Sequence, residues 1–203
     1  MRTNEYLKYL NPLSLFGTLR TKEILHVNPT VIPHREEAKE IKVFVYDYNT
    51  DSIQQEQTNS IKDTFKYKTS NKISWINIDG LRKADVESVC EHYDVHPLLI
   101  EDILSISQRP KMDEVENVMF CLLNMLYFNN EKKTVETEQI SIVLGKDFVI
   151  SFQEDASRDV FDPIRTKINL SRSQIRQRTA DYLLYAMLDL IVDNYFLVME
   201  KIG

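Results

Sequence analysis

The chain has 203 residues, room for one domain or one domain with an appendage, and its 43% hydrophobic and 28% charged content is that of an ordinary globular protein. A formal net charge of −6 argues against general nucleic-acid binding and suits a domain that meets cations. Four glycines and six prolines leave little for long linkers, and the isolated Cys90 and Cys121 read as buried free thiols in a reducing compartment.

Residues 1 to 40, punctuated by Pro12, Pro29 and Pro33, have no clear period and read as an irregular arm with room for one short strand. Met1 to Tyr9 lack the apolar core of a secretory signal. Ile41 to Tyr48 is β-branched and aromatic and reads as a strand. The largely polar Asp51 to Asn59 is expected as a short helix begun by Asp51. Thr64 to Lys68 and Ile73 to Ile78 are expected as two further strands. Val86, Val89, Cys90 and Tyr93 stand at helical spacing, giving a helix over Lys83 to Tyr93. His96-Pro97 ends that helix and opens the next, Leu98 to Ser105.

Val118 to Phe128 is a long apolar run whose aromatic and valine content favours a buried strand. Gln139 to Leu144 and Phe148 to Phe152 are strands joined through Gly145-Lys146-Asp147, a hairpin pattern. Asp162-Pro163 starts a helix through Lys167 or beyond, and a basic connection leads on from it. Together these elements give an α/β (α+β-like) sandwich: a mixed β-sheet flanked by helices and followed by a long C-terminal helix.

That last helix, Ala180 to Gly203, contains no proline and no glycine before its final residue. With Asp181 at zero, 3.6 residues per turn put Asp189 near ~80°, Glu200 near ~100° and Asp193 near ~120°. Almost everything else on it is apolar, so burial from more than one direction is expected. The carboxylate stripe would then need a cation, a donor or a proton. Asp189 and Asp193 interrupt the run before it reaches a membrane span of about 18 apolar residues, so the chain reads as soluble. With no C-capping sequence after it, the helix reads as cut rather than ended.

Four constellations bear on chemistry. Glu101 and Asp102 diverge by ~100° on a helix, a poor chelate for a bare ion but adequate for hydrated Mg2+; the plainer reading is a solvated polar edge. Asp189 and Asp193 at i, i+4 repel unless an arginine or a metal neutralises them, and spacing alone leaves both open. His92 and His96 share helical zinc-ligand spacing, but the glutamate of a zincin is missing and Pro97 pulls His96 off the helix. Arg165, Lys167, Arg172, Arg176 and Arg178 form a basic run with no acid among them, expected to answer the acidic stripes of the same protein. No phosphate-cradling glycine loop, nucleophile elbow or paired zinc knuckle is present, so nothing supports an enzyme.

The stretches Ile76 to Gly80 (INIDG), His96 to Ile103 (HPLLIEDI), Gln108 to Lys111 (QRPK), Glu138 to Ser141 (EQIS), Val149 to Glu154 (VISFQE), Val160 to Arg165 (VFDPIR) and Ala180 to Gly203 carry a resemblance. In this order, from Trp75 onward, they are similar to the cytoplasmic N-terminal domain of CorA-type magnesium and divalent-cation transporters. Residues 1 to 70 match only loosely.

The resemblance implies a homopentamer whose α/β domains form a cytoplasmic funnel. It divides this chain into a regulatory domain over residues 1–178 and the start of a stalk helix over 179–203. The stalk runs on to a membrane part that is absent here, placing the chain at the cytoplasmic face of the cell membrane. It implies a channel regulator, not an enzyme, that binds Mg2+ between subunits in the closed state, with Co2+ or another divalent ion as alternative. By motif, Glu101, Asp102 and Asp189 match the sensor carboxylates, with one further carboxylate beyond Gly203; Asp193 ranks below them. Two other readings stand beside this one: a zinc or transition-metal transporter domain of the same architecture, and a soluble acidic binding module with no metal role.

Overall fold

The alternation of Val43 and Val45 with Tyr46 and Tyr48 lets one strand feed two cores, and the fold is built around that division. The computed structural model describes residues 36–106, 108–155 and 159–202. Most of the expected N-terminal arm therefore lies outside the described residues, as does Gly203. Among the described residues seven strands form one sheet: β1 (Lys42–Tyr48), β2 (Ile53–Thr58), β3 (Ile73–Asp79), β4 (Lys111–Val115), β5 (Val118–Asn129), β6 (Thr134–Leu144) and β7 (Phe148–Gln153). Their order is β2-β1-β3-β7-β6-β5-β4. Only β3 and β7 pair in parallel, so the sheet is mixed, as expected.

Among the described residues five α-helices cover the two faces: α1 (Lys83–His92), α2 (Pro97–Leu104), α3 (Asp162–Asn169), α4 (Gln174–Gln177) and α5 (Ala180–Ile202). Val43, Val45, Ile76, Ile78, Ile150 and Phe152 pack on the side of α1 and α2. Tyr48, Trp75, Ile142 and Val149 pack on the side of α3, α4 and α5. Cys90 and Cys121 are buried free thiols, one in each core.

Two expected elements are exchanged. Ile53–Thr58 is a strand, not a helix: an Asx turn in which Asn49 Oδ1 accepts from the Asp51 and Ser52 amides folds it back onto β1. Its polar residues suit an edge strand, where exposed apolar ones would invite aggregation. Ile61–Thr69 is a 3-10 helix, not a strand; Ile61, Thr64 and Tyr67 recur every third residue and all three are buried.

α5 is long and apolar enough, by length and composition alone, to cross a membrane, yet here it lies along the sheet. Leu183, Leu184, Met187 and Ile191 enter the core, while the Tyr195 hydroxyl donates to Asn124 O and Asn194 Nδ2 to Leu126 O at 2.7 Å. Among the described residues, burial comes from one direction only. Asp189, Asp193 and Glu200 are exposed, as are Val192, Phe196 and Met199 between them. The helical period explains this, because the buried set centres roughly half a turn away from the acids.

Candidate metal centre

α2 carries the first two candidate carboxylates, and its start follows from two residues. His96 Nδ1 accepts from the Leu98 amide at 3.2 Å, and Pro97 sits at the first helical position, where a missing N–H costs nothing. Leu99 and Ile103 are buried, which leaves Glu101 exposed and Asp102 half-buried. The C-terminal end is tied to the sheet by a residue whose role the sequence did not disclose. Gln139 Nε2 donates to the carbonyls of Asp102, at 3.2 Å, and Ser105, at 2.8 Å.

Asp102 already has a cation. Lys111 Nζ lies 2.6 Å from Asp102 Oδ2 and 3.2 Å from Asp113 Oδ2. The hydrogen bond to Asp102, above all, holds the lysine pKa above its ordinary value. Glu101 and Asp189 are the reverse case: among the described residues neither side chain takes part in a hydrogen bond or ion pair. The same holds for Asp193 and Glu200, so the ion pairing expected along the stripe is not seen among the described residues.

His92 and His96 make separate structural contacts. His92 Nε2 lies 3.1 Å from the Phe65 carbonyl and its ring stacks on Phe65, while His96 caps α2. Nor does the basic run answer the stripe. Arg165 pairs with Asp159 and, at 3.0 Å, Asp162, while Arg176 donates to backbone carbonyls.

No group of three or more metal-binding side chains occurs among the described residues. The reason is topological. α2 packs on one face of the sheet and α5 on the other, so Glu101 and Asp102 cannot meet Asp189 within one chain. Exposed, unpartnered carboxylates are suitable hard-oxygen donors for a hydrated divalent ion.

A family profile described as CorA-like Mg2+ transporter protein matches residues 70–203. The chain belongs to that family. It is 38% identical over 165 residues to the cobalt/magnesium transport protein CorA of Thermotoga maritima, covering 81% of this chain and 47% of the relative. It is 28% identical over 128 residues to the putative metal ion transporter YfjQ of Bacillus subtilis, covering 63% and 38%. The chain thus spans less than half the length of these relatives. The soluble domain of CorA from Methanocaldococcus jannaschii shares the fold, with TM-score 0.54, 15% identity, and coverage of 82% of this chain and 61% of that one.

Several stretches that carry the CorA resemblance are structural in this chain. In INIDG, Asn77 and Asp79 belong to a buried polar chain along β3 and β7. Trp75 Nε1 donates to Ser151 Oγ at 3.0 Å, Ser151 Oγ to Asn77 Oδ1 at 2.7 Å, and Asn77 Nδ2 to Asp79 Oδ1 at 3.0 Å. Burial, reinforced by the charge of Asp159, pushes the Asp79 carboxyl up to about 6. Gly80 ends the motif at φ +84°, and a Cβ there would stand 2.6 Å from the Glu40 carbonyl oxygen, which glycine alone avoids. In EQIS, Glu138 Oε1 accepts from the Glu154 and Asp155 amides at 2.8 Å each, fixing the exit of β7. In VFDPIR, the Arg165 guanidinium lies over the Trp75 ring at 5.3 Å.

Proposed function

We propose that this chain is the cytoplasmic metal-sensing domain of a CorA-like transporter and that divalent cations, foremost Mg2+, bind between its copies to favour a closed state. One observation carries the reading. Glu101 and Asp189 are exposed and, among the described residues, unpartnered on helices that flank opposite faces of the sheet. Each chain therefore offers a carboxylate on either side, and a neighbouring copy can complete what one chain cannot. Family membership supplies the cation, and the name of the Thermotoga relative adds cobalt beside magnesium.

The mechanism is electrostatic. Carboxylates facing each other across a subunit boundary repel until a divalent ion bridges them, so the ion favours the arrangement in which they face. Its leverage is limited to its differential affinity for the two arrangements. Asp102 enters only if the ion competes with Lys111, which makes it the weaker ligand of the adjacent pair. Residues 1–178 form the regulatory domain, and residues 179–203 begin a stalk leading to the membrane part. The apolar exposed face of α5 meets other copies in a homo-oligomer, a pentamer in the full-length protein. The domain itself is not an enzyme.

Thermal unfolding against MgCl2 at constant ionic strength tests this. With a dissociation constant near a tenth of the added ion, stability rises by about 1.4 kcal/mol. Glu101→Gln and Asp189→Asn should each reduce that rise. A response that survives in Glu101→Gln, Asp102→Asn and Asp189→Asn alike overturns the assignment.

A further inference from the structure

The basic run beyond α3 does not pair with the acidic stripe, and the place where it leads has the character of a second site. A cleft of about 710 Å3 opens beside the start of α5, lined among others by Tyr48, Lys72, Asp147, Arg176, Arg178 and Thr179. This volume falls in the range of about 300–1,000 Å3 usual for small-molecule sites.

Its electrostatics are unusual in one residue. Arg176 is only 4% exposed, and a buried guanidinium ordinarily has a carboxylate beside it. Here Nε donates to Asn49 O at 2.7 Å and Nη2 to Thr50 O at 3.2 Å, and no carboxylate pairs with it among the described residues. Two neutral carbonyls orient the group and leave its charge uncompensated at the cleft wall. Arg178 likewise has no acid partner among the described residues, its Nε reaching only Gln174 Oε1 at 3.4 Å. Lys72 lies 3.5 Å from Asp47, whose other oxygen accepts from Ser70 and Ser74 at 2.7 and 2.8 Å, so it is partly balanced.

Three cations thus face one lining acid, Asp147. Thr179 borders the cleft immediately before the first residue of α5, whose positive dipole end adds to the field, although Asp181 in the first turn offsets part of it. Tyr48 lines the same wall fully buried, and among the described residues its hydroxyl has no hydrogen-bond partner. Burial drives its pKa well above the ordinary phenol value, so it remains a neutral donor.

We propose that this cleft binds the phosphate groups of a small phosphorylated metabolite of nucleotide size. Arg176, Arg178 and Lys72 contact the phosphate oxygens. Asn49, Asn71 and Ile73, also in the lining, offer amides and an apolar wall to the remainder of the molecule. The site is distinct from the carboxylates of α2 and from Asp189, which lies about 14 Å further along α5 at 1.5 Å per residue. It does not depend on the metal reading.

Isothermal titration of the 203-residue chain with ATP, AMP and inorganic phosphate, in EDTA and at matched ionic strength, tests it independently of any divalent ion. Saturable one-site binding is expected. Arg178→Ala and Lys72→Ala, which leave the buried Arg176 in place, should each weaken it about tenfold, the loss of one charge-assisted hydrogen bond. Tighter binding of ATP than of phosphate supports the cleft with a nucleotide as ligand; equal binding supports it with the free oxyanion. Absence of saturable binding for all three, or binding unchanged in the Arg178→Ala Lys72→Ala double variant, overturns the proposal.

Discussion

Lys111 Nζ sits 2.6 Å from Asp102 Oδ2, so the second carboxylate of the EDI sequence is held by a lysine of the chain itself. Any divalent ion that uses Asp102 must displace an ammonium group that is 34% exposed. An ion pair so accessible to water contributes little to stability, about 0–1 kcal/mol. Lys111→Met should therefore leave the fold almost unchanged in urea while steepening the stability response to MgCl2. A response equal to that of the parent chain would show that Asp102 does not compete for the ion.

Asp79 makes stability depend on pH in the direction opposite to a salt-bridged acid. Its folded pKa of about 6 lies above the ordinary 3.8, so the native state binds more protons between those values. Stability from this group is fully present below pH 4 and is lost as pH rises through 6, by an amount on the order of 3 kcal/mol. Burial above all, then Asp159 and Glu138, raise this pKa, while the Asn77 hydrogen bond and Arg165 lower it. Asp79→Asn keeps an oxygen acceptor for Asn77 and removes the charge. The variant should match the parent near pH 4 and exceed it at pH 8 in denaturant titrations.

Gly80→Ala probes the join between β3 and the segment before β1. The φ of +84° disfavours any side chain, and the new Cβ meets backbone, the Glu40 carbonyl at 2.6 Å, which cannot rotate away. A loss of about 2 kcal/mol or more is expected. A urea midpoint within error of the parent would mean that residues 38–40 yield freely.

The division between what the sequence disclosed and what it hid follows physical lines. β1, β3 and β5 were legible because apolar runs with β-branched and aromatic residues bury on one or both faces of a sheet. β2 was not, since QQEQT has no apolar period and becomes a strand only by pairing with β1. β4 was hidden by inversion: Met112 faces solvent, while Lys111 turns towards Asp102 and Asp113. The 3-10 helix was misread because a three-residue period over five residues resembles alternation.

Glu101 and Asp102 stand on α2 and Asp189 on α5, the helices that the sequence pattern predicts. Their separation by the sheet was beyond reach, because it depends on which face each crossover takes. The Asp102–Lys111 pair was equally hidden, its partners nine positions apart with a change of element between them. Gln139 gave no sign of its role, since an isolated glutamine in a strand has no spacing that points to the end of α2.

The exposed face of α5 yields the last prediction. Val192, Phe196 and Met199 are each about half exposed or more, Phe196 at 57%, on the side where Asp189 and Asp193 also stand. Apolar side chains clustered on one helix face mark an interaction surface more often than scattered ones do. Phe196 lies outside both hydrophobic cores, so Phe196→Ser should change the unfolding free energy of the isolated chain in urea by no more than about 0.5 kcal/mol. The same variant should shift sedimentation towards the monomer, and most clearly in MgCl2, where bridged carboxylates no longer hold copies apart. Sedimentation identical to the parent at every Mg2+ concentration would exclude this face from self-association.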